Sequence, residues 1–122
     1  MTIIIDDKFV GTWFVEFAPR QKMDWMIGLR HEGGDKYSFD YRFRYHKDNK
    51  IFDSKDEKSW YSGSGEFKSR EAAISSIREM AEHLAQKAGG RCHELVREED
   101  EGIISFMDRM TAMPWAHKAM VH

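Results

Sequence analysis

A chain of 122 residues, 41% hydrophobic and 33% charged, is long enough for one hydrophobic core and too short for two, and its balance excludes a disordered segment. With 19 Lys plus Arg against 21 Asp plus Glu, a net charge of −2 excludes a general attraction for nucleic acid or membrane surfaces. A lone cysteine, Cys92, excludes an internal disulfide and a Cys-based zinc site.

Phe9 to Phe17 reads as a strand of β-branched and aromatic residues that ends at Pro19, with Trp13, Val15 and Phe17 on one face and Phe14 and Glu16 on the other. In Met23 to His31, Met23, Trp25, Ile27 and Leu29 alternate with Asp24, Gly28 and Arg30, the pattern of a second strand. Glu32-Gly33-Gly34-Asp35 supplies residues that tolerate positive φ, as a tight hairpin requires. The third strand carries Tyr37, Phe39, Tyr41, Phe43 and Tyr45 at every second position. Strand side chains alternate between faces, so five rings line one side and polar groups the other. A slip of one residue would expose every ring, which pins the register.

Lys47-Asp48-Asn49-Lys50 reads as a turn, Asp53 to Lys58 as a charged loop, and part of Ser59 to Phe67 as a fourth strand weakened by Gly63 and Gly65. Ser69 to Ala88 then repeats apolar residues at steps of three and four, with Ser69 as N-cap and Gly89-Gly90 as a left-handed stop. A short strand at Cys92 to Arg97 follows. Asp100 is the expected cap of a second helix near Asp100–Ala112 with Ile103, Ile104, Phe106, Met107 and Met110 as its stripe, interrupted by Pro114. These elements predict one α+β domain spanning residues 1–122. Its expected core is an antiparallel meander of four strands, possibly a fifth, with the long helix across the aromatic face and the C-terminal helix beside it or against a second subunit.

The site residues are weighed on the same terms. Phe106, Met107, Met110, Met113 and Trp115 form the candidate protein interface, because thioethers repack and Trp anchors well; the competing expectation is that this stripe closes the domain's own core. Arg30, Arg42, Arg44 and Lys47 are the candidate nucleic-acid contacts: from Arg20 to Lys50 there are eight Lys or Arg against five acids. Rings and arginines nevertheless fall on opposite faces of one strand, so they do not grip one ligand together. Ser62-Gly63-Ser64-Gly65 lacks a P-loop lysine and reads as a bulge or a bent strand end. The six histidines show no metal spacing, Cys92-His93-Glu94 alternates across a strand, and Glu98 to Glu101 reads as a solvated acidic run.

No catalytic residue, cofactor or metal is therefore expected. The leading expectation is a cytosolic, non-catalytic binding or regulatory module acting through a protein partner or as a homodimer. The rivals are a nucleic-acid binder using the basic sheet face, and a small-molecule or enzyme pocket between sheet and helices. The N-terminal residues lack the basic and apolar regions of a signal peptide, and no stretch nears the roughly 18 apolar residues of a membrane span.

Overall fold

The computed structural model describes residues 5–17, 23–47, 50–53 and 61–115, with side chains described for 5–17, 24–41 and 63–115. In chain order its elements are β1 (Phe9–Glu16), β2 (Met23–Gly33), β3 (Lys36–Lys47), β4 (Lys50–Asp53), β5 (Tyr61–Glu66), α1 (Arg70–Ala88), β6 (Arg91–Val96) and α2 (Ile103–Thr111). All strands join one antiparallel sheet in the order β4-β3-β2-β1-β6, with β5 also on β3. The fold is α+β.

The sheet departs from a plain meander at both edges. On one side β4 and β5 share the outer edge of β3: Arg44 pairs with Asp53, and Tyr41 pairs with Tyr61. Between those pairs β3 has two residues, Arg42 and Phe43, whereas the returning chain has seven, residues 54–60. Six strand segments thus occupy five positions. On the other side the chain leaves β5, crosses the sheet through α1 and adds β6 beside β1. The expected short strand at Cys92 to Arg97 therefore closes the edge furthest from β5.

The β2–β3 hairpin turns through Gly33 and Gly34 at φ 122° and 56°, a region that side chains bearing a Cβ rarely enter. Gly63 and Gly65 do not form the expected bulge, because β5 pairs with β3 without a register shift from Glu66 to Tyr61. Gly63 lies opposite Phe39, and a Cβ there would sit 2.6 Å from the Phe39 ring. The ring covers the bare backbone. A bulge does occur in β1 at Val10, where Phe9 pairs with Arg30 but Gly11 pairs with Leu29. That one extra residue turns Phe9 away from the Trp13 face.

Both faces of the sheet are covered, so the expected single core is two apolar layers sharing β1. Above it, Val10, Trp13, Val15, Trp25, Ile27, Leu29 and Tyr37 pack against Ala73, Ile74, Ile77, Ala81 and Ala85 of α1. Helix α1 lies over β1 and β6. Tyr37 is buried beneath this layer and Phe39 and Tyr41 are half-buried at its margin, while the side chains of Phe43 and Tyr45 lie outside the described residues. Ser69 Oγ accepts the Ala72 N–H at 3.0 Å, and Gly89 closes the helix at φ 64°, as the sequence predicts.

Below the sheet, Phe9, Phe14, Met26 and Leu95 pack against Phe106 and Met110 of α2. Helix α2 thus lies on the face opposite α1. Its cap is Gly102 rather than Asp100, and no side chain caps it. The adjacent Glu101 instead receives Arg109 Nε and Nη2 at 2.8 and 2.7 Å, which ties the last turn of α2 back to its start. Arg109's hydrogen bonds hold the Glu101 carboxyl down to about 2.

One network joins β1, β6 and α1. Glu94 Oε1 accepts the Trp13 indole N–H at 2.6 Å, and Arg78 of α1 meets both Glu94 oxygens at 2.7 and 3.1 Å. Burial raises the Glu94 carboxyl's affinity for a proton, but the hydrogen bonds from Arg78 and Trp13 outweigh it and the pKa is lowered. The buried indole N–H is thereby satisfied without water.

Candidate functional site

The expected interface residues divide between core and surface. Phe106 and Met110 are buried in the lower layer, and Met113 and Trp115 pack against its edge. Met107 stays 40% exposed, and its neighbour one turn back, Ile104, is 73% exposed. Helix α2 is therefore apolar on both sides: Phe106 and Met110 anchor it, and Ile104 with Met107 faces outward. This is one turn of solvent-facing apolar surface on a pinned helix.

The basic residues fare differently. Arg30 is held by Asp6 through two hydrogen bonds of 2.8 and 3.0 Å and reaches Glu32 at 3.4 Å. Glu32 also accepts Ser38 Oγ and Lys8 Nζ. The guanidinium thus sits in an acidic surround rather than facing open solvent. Arg42, Arg44 and Lys47 lie in β3, but their side chains fall outside the described residues.

Cys92 sits half-buried against the upper layer, and burial, with Glu82 and Glu94 adding negative charge, pushes its thiol up to about 11. Such a thiol is a poor nucleophile near neutral pH. No group of three or more His, Cys, Asp or Glu able to hold a metal occurs among the described residues. His31 stacks on Tyr37 with centroids 4.5 Å apart, and its Nε2 lies 2.7 Å from the Gly34 carbonyl oxygen. It serves the hairpin.

The cleft between the β2–β3 hairpin, the start of α1 and the β6–α2 connection, about 340 Å³, is lined by Lys8, His31, Arg70, Arg97, Glu98 and Glu99 among others. Its arginines are committed to backbone: Arg97 donates to the carbonyls of Asp7, Phe9 and Glu101, and Arg70 donates to the Arg97 carbonyl. These bonds brace the chain.

A different cluster forms where β1, β2 and β6 end together. Strand register sets Arg44, Asp24, Glu16 and Arg91 in a row across β3, β2, β1 and β6. Glu16 and Asp24 are direct cross-strand partners, and Arg91 stands opposite Glu16 on β6. The next row inward brings His93 beside Phe14. The rings of Phe14, His93 and Trp115 lie nearly parallel, with centroids 5.5 Å apart for His93–Trp115 and 6.1 Å for the other two pairs.

His93 Nε2 is buried without a hydrogen-bond partner and lies 3.8 Å from Glu16 Oε1. A polar atom left in that state costs about 1–3 kcal/mol. A cleft of about 390 Å³ opens here, lined by Glu16, Arg91, His93, Pro114 and Trp115. Sequence reading assigns no role to Glu16, Asp24 or Arg91, because only the register of three strands brings them to His93. The one local signal was His93 itself, on the strand face opposite Cys92 and Glu94.

Set against protein-family models, curated proteins and solved structures, the chain matches none of them. No helix among the described residues is long and apolar enough to cross a membrane.

Proposed function

We propose that this chain is a small cytosolic, non-catalytic binding module that acts through a protein partner or a second copy of itself, using the outward side of α2. One observation carries the reading: Ile104 and Met107, a single helical turn apart, stay exposed on a helix whose other side is locked into the core by Phe106 and Met110. A pinned apolar turn loses little freedom on docking, so most of its burial becomes affinity. With Ile104 73% and Met107 40% exposed, covering what remains of both side chains is worth about 2–3 kcal/mol before association costs are subtracted. Neighbouring Asp108 and Thr111 are exposed and provide a polar rim. The unreactive Cys92 agrees with a binding role rather than a thiol-based reaction.

The nucleic-acid reading has less support, because Arg30 is neutralised by Asp6 and Glu32. The test compares intact protein with an Ile104→Ser, Met107→Ser double variant, whose changes fall outside both core layers. Light scattering at rising concentration reports self-association, and cross-linked complexes isolated from native cells report other partners. The intact chain is expected to form a dimer or a defined complex that the double variant loses, while circular dichroism shows the variant to be folded. Identical mass and identical complexes for the two proteins would rule the reading out.

A further inference from the structure

Strand β6 ends the sheet on its side, and no described residue pairs with its outer edge. Its ladder with β1 fixes which backbone groups face outward. Arg97 N–H donates to the Val10 carbonyl at 2.8 Å and continues the register that runs from Glu16↔Arg91 to Gly11↔Val96. Hydrogen-bonded and non-hydrogen-bonded pairs alternate along an antiparallel ladder. Arg91, His93 and Leu95 therefore bond to β1, while Cys92, Glu94 and Val96 turn their N–H and C=O outward. The Val96 carbonyl agrees, since it accepts Arg109 Nη2 at 2.9 Å from outside the ladder. At the strand's other end, Gly90 N–H is spent on the Ala85 carbonyl. Between these two stops, Cys92 and Glu94 each present an open donor and an open acceptor. Sheet edges are commonly blunted by Pro, Lys or a bulge. β6 reads RCHELV and meets β1 without a register shift, and its carboxylate is already neutralised by Arg78.

We infer that this edge pairs antiparallel with the β6 edge of a second copy, joining two sheets into one. Placing Cys92 opposite Glu94 of the second copy satisfies the open N–H and C=O of both residues in both chains. The neighbouring registers do worse. Glu94 against its own copy also opposes Arg91 to Arg97, so like charges face each other at both places. It further sets Cys92 against the Val96 carbonyl that Arg109 already holds. Cys92 against its own copy pairs Glu94 with Gly90, whose N–H is taken. In the favoured register Arg91 lies opposite Leu95, and His93 falls on the two-fold axis.

The layer above fits the same axis. Helix α1 lies over β1 and β6, so it stands about one strand spacing, ~4.8 Å, from the two-fold axis. Two copies of α1 then lie about 10 Å apart, a normal packing distance for helices. Arg78 bonds Glu94, and Glu82, one turn on, stands close enough to add negative charge at Cys92. Because Cys92 meets Glu94 across the axis, Glu82 of each chain meets Arg78 of the other. The Arg78 side chain is 43% exposed and Glu82 is exposed, so both are available. Such pairs select partner and register more than they add affinity. This reciprocity favours a second copy over an unrelated strand. The pairing does not rest on the outward side of α2. Arg109 turns toward β6, whereas Met107 lies about 200° round the helix from it.

The test follows the full chain by sedimentation at rising concentration, then by NMR on a mixture of isotope-labelled and unlabelled protein. A reversible dimer is expected, with a close Hα–Hα contact between Arg91 of one chain and Leu95 of the other. Within one chain those atoms lie about 13 Å apart, so the signal is intermolecular and needs no variant. Cys92→Pro removes an outward N–H without a bond to β1 and should weaken the dimer at least about ten-fold. Glu82→Lys should weaken it about ten-fold at low salt and less at high salt. Circular dichroism checks that each variant is folded. Ile104→Ser with Met107→Ser should leave this dimer intact, which separates it from the α2 reading. A chain that stays monomeric up to about 1 mM, whatever else binds it, overturns the proposal. So does a dimer that lacks the Arg91–Leu95 contact.

Discussion

Glu94 Oε1 accepts from both Trp13 and Arg78, and that sharing carries a quantitative prediction. Glu94→Ala removes the partner of the fully buried Trp13 indole N–H and of Arg78. An orphaned buried donor costs about 1–3 kcal/mol. The Arg78 pair contributes about 0.2–1 kcal/mol, because both side chains keep roughly a third or more of their surface in water, 43% and 32%. The total is about 1–4 kcal/mol. For a chain of 122 residues each kcal/mol moves the melting midpoint by about 4 °C, so Glu94→Ala should melt about 4–16 °C lower. The decisive measurement is a double-mutant cycle with Trp13→Phe, followed by urea denaturation. Phenylalanine has no N–H to orphan, so in that background Glu94→Ala should cost only about 1 kcal/mol or less. The coupling should therefore be about 1–3 kcal/mol. Equal cost in the two backgrounds would show that Glu94 acts only through Arg78 and that the indole bond contributes nothing.

Two further expectations follow from ionisation. Glu101 has a folded pKa of about 2, below its ordinary value of 4.5, so its contribution is complete above about pH 5 and disappears as pH falls toward 2. The gap in melting temperature between intact protein and Glu101→Gln should be constant from pH 8 to 6 and shrink below pH 5; a gap that widens on acidification contradicts the Arg109 pairing. Cys92, with its thiol near 11, should react with Ellman's reagent at pH 8 roughly two orders of magnitude more slowly than free cysteine and recover the ordinary rate in urea. Rapid modification of the folded protein would mean that the thiol is not shielded.

Much of the architecture was legible before any coordinates. The ring at every second residue from Tyr37 to Tyr45 and the three-and-four spacing from Ser69 to Ala88 are periodicities that only a half-buried strand and an amphipathic helix satisfy. The glycine pair at Gly33-Gly34 and the stop at Gly89 reflect backbone angles, which local sequence encodes well. What stayed hidden depends on long-range pairing. Nothing local says that β6 returns beside β1, that α2 takes the face opposite α1, or that Val10 is an extra residue in its strand. The same limit governed the sites. Phe106 and Met107 are adjacent in sequence and equally apolar, yet one is core and the other surface, because the helix's rotation is set by what it packs on. Glu16, Asp24, Arg91 and His93 come from three strands, so no spacing rule connects them.

The placement of β1 has one more consequence. All but the last of its residues are buried, from Phe9 to Val15, and alternate side chains enter the layers above and below. Neither helix can therefore be stripped away while the rest persists in its native form: removing either one lays bare one side of the same central strand. A domain wired this way melts in a single step, and its amide hydrogens along β1 are the last to trade with solvent, on the timescale of whole-molecule opening rather than local fraying.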